Sequence, residues 1–327
     1  MIYSQMEDER SYSELSDKMV LIGGNSNLEL AKKISEKLGI SLANSIISKF
    51  SDGEIRVKIL ENVRGKDVFI IQSTCPPVND NLMELLIIID AVKRASANSV
   101  TAIIPYFGYA KQEKKISGRE PITAKLVANL ITVAGANRVV TIDLHSPAIQ
   151  GFFDIPVDNL YAYASLVSAF LREVDIKQGN FTIVAPDAGS VVRARMYSEK
   201  MGLPIAVMFK RRPDVEEVES MEVVGEIESR NVIIVDDMIS TAKTLVRAAE
   251  KLKSMGANKI YCLAVHPVFS SNAVELIDQS PIDRVFVTDT IPLKKSSSKI
   301  VVASVDSLIS EVIKRICLRK SISEIFD

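Results

Sequence analysis

Short runs of aliphatic and β-branched residues alternate with longer stretches of helical spacing along almost the whole chain, at 19–22, 68–72, 100–104, 139–142, 182–185, 205–209, 232–235, 260–265 and 285–288. The intervening segments 28–38, 82–95, 122–133 and 241–255 repeat apolar residues at helical intervals, and Gly39 and Gly256 mark two of their ends. Apolar strands that alternate with helices build βαβ units, with a parallel sheet buried on both faces. Residues 54–59 behave differently: Ile55, Val57 and Ile59 alternate with Glu54, Arg56 and Lys58, the pattern of a strand with one wet face at an edge or in a flap. A length of 327 residues suits about two domains. Val139-Val-Thr-Ile-Asp-Leu-His145 and Val232-Ile-Ile-Val-Asp-Asp-Met238 are a similar device repeated in each half, so two similar α/β domains are expected, 19–160 and 161–327, after an extension 1–18. The last residues are expected to return to the first domain.

Composition excludes several classes. Lys+Arg 40 against Asp+Glu 41 leaves a net charge of −1, without the basic excess of a nucleic-acid binder. No apolar run approaches the ~20 residues of a membrane span. Residues 1–18 hold Glu7, Asp8, Glu9 and Glu14, unlike a secretory or transit leader. Cys75, Cys262 and Cys317 are widely spaced and form no CxxC, which suits a reducing cytoplasm.

The chemistry is expected at the strand ends, because open α/β sheets bind ligands outside the carboxyl ends of their strands. The strongest signal is Val232-Ile-Ile-Val-Asp-Asp-Met-Ile-Ser-Thr-Ala-Lys-Thr244. Asp236 and Asp237 can accept hydrogen bonds from a vicinal diol. Ser240, Thr241 and Thr244, with the amides at a helix start, can cradle a phosphate. Phosphate and diol together spell a sugar phosphate; the plain alternative is that Asp237 or Ser240 only caps the helix. His145 beside Asp143 could ligate a metal or be an ordinary polar residue, and Asp187 offers a hard oxygen ligand suited to Mg²⁺. Lys210-Arg211-Arg212 could clamp a transferring phosphoryl group or be a solvated face. The Lys-rich stretch 109–121 could bind phosphate or be plain surface. GxxxxGK[ST] does not occur and Gly23-Gly24-Asn25-Ser26-Asn27 is not GxGxxG, which excludes a Walker-type site and disfavours a dinucleotide-binding dehydrogenase.

Phe50-Ser-Asp-Gly-Glu54, Pro77-Val-Asn79, the stretch 109–121, Asp143-Leu-His145, Gln150-Gly-Phe-Phe-Asp-Ile-Pro-Val-Asp-Asn159, Pro186-Asp-Ala-Gly189 and the Asp236-Asp237 loop occur in one order. Over nearly the whole chain they resemble the ribose-phosphate diphosphokinases, also called phosphoribosyl pyrophosphate synthetases. The resemblance implies transfer of the diphosphoryl group of ATP to the 1-hydroxyl of ribose 5-phosphate, giving AMP. It implies two tandem phosphoribosyltransferase-like domains, each a mostly parallel sheet flanked by helices, with ATP on the N-terminal and ribose 5-phosphate on the C-terminal one. It further implies Mg²⁺, phosphate and ADP as effectors, and a homohexamer built as a trimer of dimers.

By position, Phe50, Asp52 and Glu54 match the segment that holds adenine across a subunit interface, and Lys111, Gln112 and His145 match other ATP-binding residues. His145 and Asp187 match the metal site. Asp236, Asp237 and Ser240, Thr241, Ala242, Lys243 and Thr244 match the ribose-5-phosphate loop. Lys210 and Arg212 match the cations that stabilise the transferring group, with Arg211 pointing the other way. Arg64, Arg119, Gln150, Asp158, Asn159, Ser321, Ser323 and Phe326 match the regulatory site for phosphate and ADP. The chain departs from the pattern at Lys243, where a Gly is usual and a side chain is expected to strain the loop or add a cation to it. Lys111 replaces an Arg and loses its bidentate fork. Ser190 and Ser271 also stand where Gly is usual. Lys243 and Lys111 speak for the rival reading, a catalytically weak homologue that assembles with active synthetases, and the retained Lys210, Arg212, His145 and Asp187 speak against it; a phosphoribosyltransferase is a third option.

Overall fold

The computed structural model describes residues 18–211 and 220–326, in two compact units. The first comprises the chain up to Tyr161 and the segment from Val305 onward; the second is Ala162–Ser304.

The first unit is built on a five-stranded sheet of β1 (Met19–Gly23), β4 (Asp67–Ile71), β5 (Ser99–Ile104), β6 (Arg138–Ile142) and β7 (Val157–Leu160), in that spatial order and parallel throughout. Between β1 and β4 the chain makes a separate antiparallel ribbon, β2 (Ser45–Lys49) and β3 (Ile55–Ile59). Its half-buried Ile47, Val57 and Ile59 lean on the core cluster that includes Leu85 and Ile88 of α2 (Val78–Arg94). The alternation at 54–59 is thus one strand of a ribbon that stands apart from the main sheet. Helix α1 (Leu28–Leu38) buries Leu30, Ala31, Ile34 and Leu38, one stripe at helical spacing. Asn27 caps its start by accepting from the Leu30 N–H, and Gly39, with φ 65°, ends it in the left-handed conformation that glycine adopts without steric cost. Helix α3 (Thr123–Ala134) crosses between β5 and β6.

The second unit holds a seven-stranded sheet of order β10-β9-β8-β11-β12-β13-β14, where β8 is Phe181–Ala185, β9 Ile205–Arg211, β10 Ser220–Val224, β11 Asn231–Ile239, β12 Ile260–Pro267, β13 Arg284–Thr288 and β14 Ile300–Ala303. All its pairs are parallel except β9 with β10. Strands β8 and β12 are buried along their whole length, as a sheet covered on both faces requires. Helix α4 (Tyr163–Glu173) inserts Phe170, whose ring lies edge-on at 5.3 Å from both Tyr261 and Phe286. Each such pair contributes about 0.5–1.5 kcal/mol beyond the area that it buries. Helices α5 (Val191–Met201), α6 (Lys243–Ser254) and α7 (Ala273–Gln279) complete the unit, and α8 (Asp306–Cys317) rejoins the first unit, where it packs on α1.

Three strands run further than their apolar content suggests. β9 continues through Lys210 and Arg211 instead of ending at Phe209, because it pairs with β10, Lys210 opposite Met221. β11 carries Asp236 and Asp237 inside the strand, since Asp236 stays in register with Ala264 and Ile239 with Pro267 of β12. His266 likewise lies within β12. Backbone pairing with a neighbour, not hydrophobicity, sets where each strand stops. The expected extension 1–18 lies outside the described residues apart from Lys18, as do Arg212 and the acidic stretch that follows it.

Candidate functional site

The order of the second sheet creates a crevice between β8 and β11. From β8 the chain moves outward through α5 to β9, whereas from β11 it moves the opposite way through α6 to β12. Such a reversal opens a space above the carboxyl ends of the two strands. β8 stops pairing with β11 at Val184, opposite Ile234, so Asp236 and Asp237 lie on a stretch of β11 that keeps β12 as its partner but has outrun β8. Asp187 follows the end of β8.

The carboxylates act on one another. Asp237 is buried and its backbone N–H donates to Asp236 Oδ1 at 2.9 Å. Burial first, then the charges of Asp237 and Asp187, hold the Asp236 carboxyl well above the usual carboxylate range. Beyond Ile239 the chain turns through Ser240 and Thr241, and the cap of α6 falls on Ala242, whose φ of 61° is left-handed. The cap residue is neither Asp237 nor Ser240 and offers no side-chain hydrogen bond of its own, and a helix start of this kind suits an anion. Ser240 is held from the far side of the loop, its hydroxyl 3.2 Å from that of Ser270 and its carbonyl accepting the Ser270 N–H at 3.0 Å. Ser270 escapes a reading of the sequence because this pairing spans thirty positions.

Lys243 does not bear out strain in the loop, one of the two expectations for it. It is the first residue of α6 and exposed, so its side chain is not forced into the turn; the left-handed strain falls on Ala242 instead. Ser190 also has a use for its side chain. Its N–H and its hydroxyl both donate to Asp187 Oδ1 at 2.9 Å, which fixes the carboxylate at the start of the turn 188–190. Ser271 does take the left-handed φ, 58°, that a glycine would favour.

Among the described residues no group of three or more His, Cys, Asp or Glu side chains is arranged to hold a metal by itself. That donor set still suits Mg²⁺, which takes one or two protein carboxylates and completes its shell with water and substrate phosphates. Besides burial, the charges of Asp237 and Asp187 raise Asp236, and such an excess of negative charge is what a divalent cation relieves. Asp187 belongs to the second unit and His145 to the first, where it is exposed just after β6.

In the first unit Phe50, Asp52 and Glu54 share the turn of the ribbon. The Phe50 N–H donates to the Glu54 carbonyl at 2.8 Å, the Glu54 N–H to Asp52 Oδ1 at 3.1 Å, and Gly53 supplies the φ of 95° that the turn requires. Phe50 is 49% exposed, with the Arg56 guanidinium 5.8 Å from the centre of its ring. Lys111 is exposed; the Gln112 side chain accepts from the Thr123 hydroxyl at 2.6 Å and its carbonyl accepts the Ala124 N–H, tying it to the start of α3. Arg119 stands in a left-handed turn at φ 67°.

Of the residues matched to an effector site, Asp158 and Asn159 lie on β7, paired with Val140 and Thr141 of β6. Asp158 is bound by Arg138, and Asn159 Oδ1 accepts the Leu144 N–H one residue before His145. The Phe326 ring meets Tyr161 edge-on at 5.9 Å, beside the end of β7, and the hydroxyls of Ser321 and Ser323 lie 2.8 Å apart. Arg64 donates to the Ser96 hydroxyl, 32 positions away in the chain, and Gln150 to the Pro147 carbonyl within its own turn. Lys210 lies in β9 by its backbone.

Comparison with known proteins identifies the family and the fold. Residues 19–135 match the family model described as the N-terminal domain of ribose phosphate pyrophosphokinase, and residues 210–327 match the phosphoribosyl synthetase-associated domain. The ribose-phosphate pyrophosphokinases of Thermosipho africanus and Thermotoga maritima are each 50% identical to the chain over 95% of its length, and 98% and 99% of those proteins are covered. The crystal structure of phosphoribosylpyrophosphate synthetase from Mycobacterium smegmatis superposes with a TM-score of 0.87 at 37% identity, covering 92% of this chain and 99% of that one. The two parallel sheets flanked by helices are the phosphoribosyltransferase-like pair expected of such a protein. With half of its residues shared across almost its entire length, the chain belongs to the ribose-phosphate pyrophosphokinase family.

Proposed function

We propose that the crevice between β8 and β11 holds ribose 5-phosphate and that the β2–β3 turn belongs to the ATP side of the same reaction. The chain transfers the diphosphoryl group of ATP to ribose 5-phosphate. The 1-hydroxyl oxygen bonds to the β-phosphorus and loses its proton, while the bond from that phosphorus to the α–β bridging oxygen breaks and AMP leaves with the oxygen. The observation that carries the placement is the start of α6 at Lys243, with Ala242 as its cap, one short turn beyond the Asp236–Asp237 pair of β11. The ribose hydroxyls donate to the two carboxylates. The 5-phosphate lies against the first-turn amides and the hydroxyls of Ser240, Thr241 and Thr244, with Ala242 and Lys243 forming the turn between them. Phe50, Asp52, Glu54, Lys111, Gln112 and His145 hold ATP, and Lys210 and Arg212 neutralise charge on the transferring group.

Mg²⁺ is the cofactor that we assign, with Asp187 and His145 the residues that match the family's metal site; when bound it would neutralise phosphate charge. Transfer of this kind asks a protein for positioning and charge stabilisation more than for covalent chemistry. We further assign Arg64, Arg119, Gln150, Asp158, Asn159, Ser321, Ser323 and Phe326 to an effector site for phosphate and ADP, and a homohexamer as the working species. No helix among the described residues is long and apolar enough to cross a membrane; a cytoplasmic location follows from the substrates. Lys243, which with Lys111 favoured a weak regulatory homologue, is exposed at the start of α6.

Purified chain incubated with ribose 5-phosphate and Mg-ATP is expected to release AMP; its absence would leave the regulatory reading in place. Asp237→Asn should raise the KM for ribose 5-phosphate at least tenfold and that for ATP less than threefold, because a lost charged hydrogen bond costs about 1.5–3 kcal/mol. Equal losses for both substrates would undo the division of labour.

A further inference from the structure

A buried polar network lies at the carboxyl end of the first sheet, outside the residues assigned so far. Glu84 on α2 and Gln72 just after β4 are 7% and 0% exposed. Glu84 meets neutral donors: its Oε1 accepts the Asn25 N–H at 2.7 Å and Gln72 Nε2 at 2.9 Å, and its Oε2 accepts Asn25 Nδ2 at 2.8 Å. Gln72 Oε1 in turn accepts the N–H and hydroxyl of Ser26 at 3.1 and 2.7 Å. Every member therefore works to fix the segment Gly24-Asn25-Ser26 that follows β1. The packing leaves no room for a side chain at Gly24, where a Cβ would stand 2.1 Å from Gln72 Oε1.

The same Asn25 amide that Glu84 grips also donates to the Ile47 carbonyl of β2 at 3.2 Å. A side chain anchored to the buried carboxylate thus holds the backbone of the ribbon whose turn carries Phe50, Asp52 and Glu54. Lys49 adds a second tie from the ribbon to Asp80 of α2. Apolar contact through Ile47, Val57 and Ile59 presses the ribbon on the core but is non-directional, and a two-stranded ribbon is barely stable alone. A directional bond from a fixed donor supplies the register that apolar packing leaves loose.

We infer that Asn25, held by Glu84 and Gln72, is a positioning residue for the β2–β3 ribbon and sets the nucleotide-facing turn in place. This rests on the assignment of that turn to ATP. Asn25→Ala removes the tie while leaving the Phe50 turn intact. It is expected to raise the KM for ATP about 5- to 10-fold, the size of one hydrogen bond's net contribution, with kcat and the KM for ribose 5-phosphate within about twofold of wild type. Amides of β2 and β3 should exchange with deuterium faster, and those of β4 and β5 should not. Phe50→Ala, run in parallel, separates the two ideas. If Phe50→Ala raises the KM for ATP and Asn25→Ala does not, the positioning role is wrong. A loss shared by both substrates, with faster exchange across the whole sheet, also overturns it, since that is the mark of general destabilisation. If Phe50→Ala leaves the KM for ATP unchanged, the turn does not hold ATP, and unchanged exchange in the ribbon then rejects the tie while faster exchange there upholds it.

Discussion

At Asp236, burial, the Asp237 charge and the Asp187 charge all keep the proton on the carboxyl. An acid whose folded pKa is raised contributes stability that is fully present below its unfolded value, about 4, and lost as pH climbs through the folded value. Over that window the folded chain binds more protons than the unfolded one, so stability declines with rising pH. Asp236→Asn removes the charge and keeps the shape. It should make the protein more stable at pH 8 in urea titrations and flatten the decline above pH 4, while impairing the reaction; an Asn variant less stable than wild type at pH 8 would contradict this. Ala242 offers a second exchange at a single residue. Its left-handed φ costs a residue with a Cβ about 1–2 kcal/mol, so Ala242→Gly is expected to be neutral or stabilising by up to about 1 kcal/mol. Ala242→Val, β-branched in the same conformation, should destabilise by more than 2 kcal/mol; a reversed order in chemical denaturation would show that the turn is set by something else.

The elements that a reader of the sequence sees are those whose evidence is local. Helix α1 announces itself through its apolar stripe and Gly39, and the buried strands β4, β5 and β8 through short runs rich in apolar and β-branched residues. Short strands whose existence depends on a distant partner are not visible in this way. β2 is half polar and exists because it pairs with β3; β10 holds Glu222 and forms against β9; the last part of β11 is acidic and is kept extended by β12. The candidate site followed the same rule. Asp236, Asp237 and the hydroxyls of the α6 turn stand together in the sequence, whereas Ser270 and the Glu84 network reach their partners across the fold. At this scale β9 carries one expectation. Lys210 lies in the strand, opposite Met221, and Arg211 opposite Ser220. Lys210→Ala and Arg212→Ala should each lower kcat about 10²-fold or more, with little change in KM, as loss of a charge-stabilising donor does. Arg211→Ala should cost little. Steady-state kinetics on the three variants decides it, and an equal loss at all three positions would mean a solvated basic cluster.

For the molecule as a whole, the exposed Phe50 at the tip of a ribbon outside the main sheet makes assembly part of the activity, in the reading that places this turn in a neighbouring subunit's ATP site. A species that sediments as a monomer at assay concentration should be nearly inactive, and specific activity should rise with protein concentration as oligomers form; an active monomer would refute the shared site. The path of the chain has a different consequence, one of timing. The first unit is discontinuous: Ala162–Ser304 is inserted into it, and α8, which packs on α1, comes from beyond the insertion. During synthesis, α1 emerges early and waits for its partner until the rest of the first unit up to Tyr161 and the whole inserted unit have been translated, on the order of a few tens of seconds at about 5–20 residues per second. The inserted unit has all its parts before the unit that surrounds it. A nascent chain therefore presents a finished inner unit and an outer one in which α1 lacks the helix that packs on it, a surface for quality control to read until α8 closes it.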